Sequence, residues 1–299
     1  MRTHGILLGM TTAIILCSAT VARADENAAR EFARGKSLLA TGDFDGALVA
    51  FKGALKAEPE NEEYFQQCAL LRRVIQYRAQ LKVETDAEAW QQIARGLYSF
   101  YCNQKLYGEA VPLARTMFEK AKSADSAGLL GDALLATGKN DDAATLLVAL
   151  TPEESSPHTT ALRGVALART GKLGEAKAVA AQLEIPKDCD ADLCYDAARL
   201  YALVGQTDKA IEMLKCSFET TPADQLDAAK AVVKESTDLA KLTVTPEFAK
   251  VMQTESKGSG CGSKAACAKC PLKDKGGCEK GKAGDAKEGK AAGCEHDKK

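Results

Sequence analysis

The sequence predicts an all-α chain in which helical hairpins stack side by side into a solenoid, and three observations carry that expectation. Aromatic residues make up only 5% of the 299-residue chain, while alanine and leucine supply most of its 45% apolar fraction. That balance suits helices that approach closely through small side chains, and it disfavours a β-rich core. The second observation is an internal repeat: residues 206–222, from Gln-Thr-Asp-Lys-Ala-Ile to Pro222, align without a gap on residues 43–59, from Asp-Phe-Asp-Gly-Ala-Leu to Pro59. The third is a glycine that recurs at one phase of that repeat.

Aligning on the alanine after each turn gives Ala47, Ala110, Ala143, Ala176 and Ala210, with spacings of 63, 33, 33 and 34 residues. The first interval is close to twice the others, so a degenerate unit is expected between Ala47 and Ala110. Twelve residues before the alanine stands a small residue, namely Gly35, Gly131, Gly164 or Ala198. It lets two helices approach closely. Five residues before it comes Gly42, Gly138, Gly171 or Gly205, suited to the left-handed cap that ends a helix. Four residues after it, Phe51, Leu147 and Leu214 supply bulk. The unit around Ala110 departs from the pattern, with Tyr98 at the small position and Lys105 at the turn. Residues 61–82 contain no Gly or Pro and read as one long helix. Residues 151–157 read as a loop whose Pro152 and Pro157 bound the neighbouring helices.

A period near 34 with these positions resembles the tetratricopeptide repeat family over about residues 27–220. The resemblance implies a right-handed superhelical solenoid with units near 27–60, 61–89 (degenerate), 90–122, 123–155, 156–188 and 190–222. The stretch from Asp224 to about Thr254 is similar to segments that close such arrays. The expected organisation is therefore a signal peptide over 1–24, the array with its cap over 25–254, and a tail over 255–299.

The family resemblance also implies a scaffold function. The first helix of each pair lines a concave face that takes an extended peptide or a partner helix. Counted from the small residue, Phe32, Lys36, Arg95, Ser99, Asp132, Tyr195 and Arg199 are the expected groove residues. Chaperone-binding members of the family clamp a C-terminal carboxylate with Lys and Asn. Phe32 and Lys36 occupy the corresponding places here, so that clamp is not reproduced.

Residues 25–254 carry 27 Lys/Arg against 34 Asp/Glu, whereas residues 255–299 carry 11 against 7. The negative body repels phosphate backbones, so no nucleic-acid partner is expected. The N-terminus reads as an export signal. Arg2 precedes an apolar stretch from Gly5 to about Val21, and Ala22-Arg23-Ala24 offers small residues for cleavage before Asp25. A stretch of about 17 residues is short for a membrane span. Leu16 stands where a lipoprotein signal needs a small residue before Cys17. The mature chain is thus expected in the periplasm or outside the cell, with no membrane anchor.

No catalytic constellation accompanies the array. The mature chain has two histidines, His158 and His296, and the sequence holds no Gly-rich phosphate loop and no His-Glu-x-x-His. His158, at a helix start, reads as a surface residue, and the chain as a non-enzyme.

Ten cysteines remain after signal removal. Cys194 and Cys216 are about equally far from the Gly205 turn, and Cys68 and Cys102 flank a break near Thr85. Each pair is a candidate disulfide, with Cys189 competing for Cys194 and free buried thiols as the alternative. The tail carries Cys261, Cys267, Cys270, Cys278 and Cys294, with His296 two residues beyond the last. With eleven lysines, nine glycines and no aromatic, it cannot bury enough surface to fold unaided. Its thiols could hold Zn or Cu, which makes thiol-rich metal binding the alternative function. Thiol-redox chemistry is a second alternative, although no thioredoxin-like pattern surrounds the Cys267-Ala-Lys-Cys270 motif.

Overall fold

The computed structural model describes residues 26–257. Helix α1 covers residues 26–40. It is followed by α2 (Phe44–Ala57), α3 (Glu62–Leu81), α4 (Ala87–Asn103), α5 (Tyr107–Ala121), α6 (Ala124–Ala136) and α7 (Asn140–Val148). After a 3-10 turn at Pro152–Glu154 come α8 (Pro157–Arg169), α9 (Leu173–Gln182), α10 (Ala191–Leu203) and α11 (Thr207–Thr220). The described chain ends with α12 (Leu226–Glu235), a 3-10 turn at Thr237–Leu239 and α13 (Pro246–Val251). No strand occurs among the described residues, and no described helix is long and apolar enough to cross a membrane.

The helices start where short polar side chains can accept from free backbone N–H groups. Asp43, Asn61, Asp86 and Asp190 cap α2, α3, α4 and α10 in this way. Ser123 and Ser156 form reciprocal capping boxes at α6 and α8. The helices α1, α6, α8 and α10 end alike. Gly42, Gly138, Gly171 and Gly205 all sit at φ of 72–84°. In each turn, the N–H after the glycine donates to the carbonyl five residues back, as from Asp43 to Leu38 at 3.0 Å and from Gln206 to Tyr201 at 2.8 Å. This is the Schellman closure, for which glycine carries no Cβ penalty.

The helices then pack as an array. The hairpins are α1/α2, α4/α5, α6/α7, α8/α9 and α10/α11, and the first helices of the last three pairs also pack on one another, α6 on α8 and α8 on α10. The five register alanines, Ala47, Ala110, Ala143, Ala176 and Ala210, have no exposed surface. The small positions explain how closely the helices meet. Gly35 lies under the Phe51 ring, Gly131 under Leu147 and Gly164 under Leu200.

The degenerate unit is not a hairpin. Between α2 and α4 stands the single 20-residue helix α3, packed on both of its neighbours. Without an internal glycine or proline, nothing breaks it into two arms. Beyond α11, the cap is built from α12, the 3-10 turn and α13, with Leu239, Leu242, Phe248 and Val251 buried.

Candidate functional site

A cavity of about 550 Å³ lies where α4, α6, α8 and α10 face α12. Each first helix contributes side chains at helical spacing, so the residues of one face converge. Helix α4 supplies Arg95, Tyr98, Ser99 and Cys102, helix α6 supplies Asp132, and helix α10 supplies Asp192, Tyr195 and Asp196. His158 stands at the start of α8. Helix α12 closes the far side with Val232 and Val233.

Beneath this surface runs a line of buried charge. His158 Nε2 and Asp196 Oδ2 are 2.8 Å apart. Arg199 Nη1 donates to Asp196 Oδ1 at 2.7 Å, and its Nε donates to Asp238 Oδ2 at 2.9 Å. Arg169 donates Nε and Nη2 to the two oxygens of Asp238, at 2.8 and 2.9 Å. Its Nη1 reaches the Leu135 carbonyl at 2.8 Å. The cap is thereby tied through Asp238 to α8 and α10, and through Arg169 to α6.

The charges set one another's protonation. Desolvation opposes charge on His158, but the hydrogen bond to Asp196 and the carboxylates of Asp196, Asp132 and Asp192 outweigh it and raise its pKa to about 9. The ring is an imidazolium at neutral pH. Its Nε2 is held by Asp196, and its Nδ1 lies against Gly128 of α6. About a third of the side chain remains exposed, on the cavity wall. Desolvation likewise works against Asp238, but Arg169 and Arg199 hold its carboxyl below the usual carboxylate range.

Asp132 and Asp192 differ from these paired groups. Asp132 approaches Arg199 only to 3.8 Å, beyond hydrogen-bond distance. Its side chain keeps 47% of its surface exposed, yet it sits at the bottom of a concavity walled by protein. Desolvation and the nearby Asp196 carboxylate raise its pKa to about 6, against the pull of Arg199 and His158. Asp192 is exposed at the lip, and desolvation together with Asp190 and Asp196 raises it as well. The site thus offers two open carboxylates beside the Tyr195 ring and Val232, which is half exposed.

The structure brings together four of the seven expected groove residues: Arg95, Ser99, Asp132 and Tyr195 line this cavity. Arg95 is already paired, with Asp125. Of the other three, Arg199 and Phe32 are buried, and Lys36 is exposed but already paired. Arg199 keeps only 6% of its surface exposed, because Asp196 and Asp238 draw its guanidinium into the core. Phe32 is buried against Phe51 and Tyr64, its centroid 4.4 Å from that of Tyr64. Lys36 lies over the Phe32 ring and pairs with Glu63. The extra helix α3 covers the face of α1 that an ordinary hairpin array would leave open.

His158, Asp192, Asp196 and Asp238 were not singled out by sequence reasoning as site residues. The signal available was the spacing Asp192-x-x-Tyr195-Asp196-x-x-Arg199, which aligns four polar groups along one face of α10.

No disulfide joins the five described cysteines in this structure, and Cys189 approaches Cys194 as the expected competitor of Cys216. Cys68 is buried near Lys52 and Arg72, while Cys102 lines the cavity beside Tyr98, where burial pushes its thiol up to about 11. Facing different surroundings, the two are free thiols, as are Cys189, Cys194 and Cys216. Cys194 does not pair with Cys216 alone. The Cys189 sulfur reaches both, at 2.6 Å from Cys194 and 3.3 Å from Cys216. Cys261, Cys267, Cys270, Cys278, Cys294 and His296 lie outside the described residues, as does the expected signal peptide.

The architecture is an all-α array of stacked helical hairpins. Solved structures of similar fold include a tetratricopeptide repeat protein from Parabacteroides merdae (16% identity, covering 77% of this chain and 93% of that one, TM-score 0.40). A thermophilic TPR protein from Thermus thermophilus is similar at 21% identity, 69% and 98% coverage and TM-score 0.32. YrrB, a TPR protein with an unusual peptide-binding site, is similar at 18% identity, 72% and 96% coverage and TM-score 0.31. No protein-family model matches the chain, and no curated protein sequence matches it.

Proposed function

We propose that this protein is a non-catalytic scaffold whose concave cavity takes a cationic segment of a partner protein. One observation carries the reading: Asp132 and Asp192 open into the cavity, while Asp196 and Asp238 beside them are already matched by Arg199, Arg169 and His158. A Lys or Arg from the partner, entering between the two open carboxylates, would find charge-assisted acceptors, with Tyr195 and Val232 to cover its aliphatic stem. The cavity volume suits a few anchoring side chains and not a whole domain. The same carboxylates repel phosphate, so nucleic acid is not the partner class.

Peptide display on the purified chain tests this. Selection should enrich sequences with Lys or Arg beside an apolar residue, and Asp132→Asn with Asp192→Asn should abolish that enrichment. Tyr195→Ala should weaken the selected peptides without unfolding the array. Enrichment for acidic peptides, or indifference to the double substitution, would sink the reading.

We also propose that the scaffold works outside the cytoplasm, after cleavage before Asp25. Arg2, the apolar stretch to Val21 and the Ala22-Arg23-Ala24 site support this. The mass of the chain recovered from its host reads the outcome, because a protein that retains residues 1–24 contradicts it.

A further inference from the structure

We infer that Cys189, Cys194 and Cys216 form a three-thiolate site for a soft monovalent cation, Cu(I), at the α10/α11 hairpin. Among the described residues they are a group in which three metal-ligating atoms come within 4.8 Å of one another. They derive from three different local structures. Cys189 lies in the loop after Pro186, Cys194 in the first turn of α10, and Cys216 in the last turns of α11. The Asp190 cap on the Leu193 N–H and the Ser217 hydroxyl bond to the Ala191 carbonyl lock the start of α10 against α11. The frame around the sulfurs is therefore set before any ion arrives.

The donor set selects the ion. Three sulfurs about 2.3 Å from one metal stand about 4 Å apart, so the group needs only small side-chain rotations, the largest at the loop residue Cys189. A structural zinc site normally takes four protein ligands, whereas the group among the described residues offers three soft sulfurs, a donor set that favours Cu(I). Cys194 is fully buried, while Cys189 and Cys216 are partly exposed, so an ion enters from their side. Burial raises the thiols of Cys194 and Cys216, and without metal they are protonated and poorly reactive at neutral pH. Each Cu–S bond that forms releases one thiol proton to solvent. Neither sulfur nor copper changes oxidation state in the step.

The tail cysteines are a competing sink, so the test uses the full chain with Cys261, Cys267, Cys270, Cys278 and Cys294 changed to Ser. Cu(I) is supplied anaerobically and competed with a chromogenic Cu(I) chelator. The site should retain one equivalent, with a thiolate-to-copper charge-transfer band in the near ultraviolet. Retention and band should be lost with Cys189→Ser or Cys216→Ser, both partly exposed and compatible with the folded array by circular dichroism. Three results overturn the proposal: no Cu(I) retained by the tail variant, retention unchanged by both substitutions, or preferential uptake of Zn²⁺ at the same stoichiometry. A mass lower by two hydrogens in the protein from its host, mapped to a disulfide within this trio, overturns it equally.

Discussion

At the residue scale, the described chain is governed by a few buried charges. Asp238 is the clearest case, since two arginines from different helices share its carboxylate and its side chain is 3% exposed. Replacing it by Ala leaves Arg199 buried and under-paired, so a loss of about 3–5 kcal/mol is expected in urea unfolding. Replacement of the exposed Glu63, whose pair with Lys36 faces solvent, should cost under about 1 kcal/mol. His158 makes stability depend on pH. Its folded pKa of about 9 lies above the ordinary 6.5. Its contribution is therefore fully present below about pH 6.5 and is lost as pH rises through 9. His158→Gln should lower stability near pH 6 and flatten the decline between 6.5 and 9. A variant with the wild-type slope would show that the ring does not couple to Asp196 as described. From sequence alone His158 was a surface residue, because its partner lies 38 residues away and only the stacking of α8 on α10 brings them together.

At the scale of the element, the turns repeat one geometry with one misfit. Lys105 stands where the other hairpins have glycine and still adopts φ of 56°. The same closing bonds form around it, Lys105 to Cys102 at 3.0 Å and Leu106 to Tyr101 at 2.7 Å. A Cβ in that conformation costs about 1–2 kcal/mol, and the Lys105–Glu235 pair is too exposed to offset it. Lys105→Gly should therefore stabilise the protein by about 1 kcal/mol, read as a higher urea midpoint at unchanged slope. The opposite substitution is instructive at Gly164. A Cβ there would stand 2.6 Å from both Leu200 methyls, so Gly164→Ala should destabilise by about 1–3 kcal/mol. These turns and small positions were legible in the sequence because they obey local backbone rules. Helix α3 was legible as a long helix from its lack of breakers. Its role in covering Phe32 was not, since a missing hairpin arm changes which faces meet and leaves no local mark.

At the scale of the whole molecule, the array and its cap build the cavity together. The α4, α6 and α10 walls could be read from the repeat register, and Arg95, Ser99, Asp132 and Tyr195 fall there. Helix α12 could not, because it lies outside the repeat and its register was undefined. Arg199 was misplaced for a related reason. The repeat position turns it toward the concave side, but Asp238 of the cap captures it. The cavity's chemistry follows from that capture. With Arg199, Arg169 and His158 engaged by Asp196 and Asp238, the carboxylates of Asp132 and Asp192 open into the cavity.

Calorimetric titration of a display-selected Lys/Arg peptide at pH 5 and pH 8, against the wild-type chain and the Asp132→Asn/Asp192→Asn variant, tests this most directly. Because desolvation and the Asp196 carboxylate raise the Asp132 pKa above the usual carboxylate range, the wild type should bind more tightly at pH 8 than at pH 5. The variant should bind at least about tenfold more weakly at pH 8, a difference of about 1.4 kcal/mol, with little change between the two pH values. Equal affinity of the two proteins at pH 8, or tighter binding by the wild type at pH 5, would contradict the assignment of the cavity to a cationic partner.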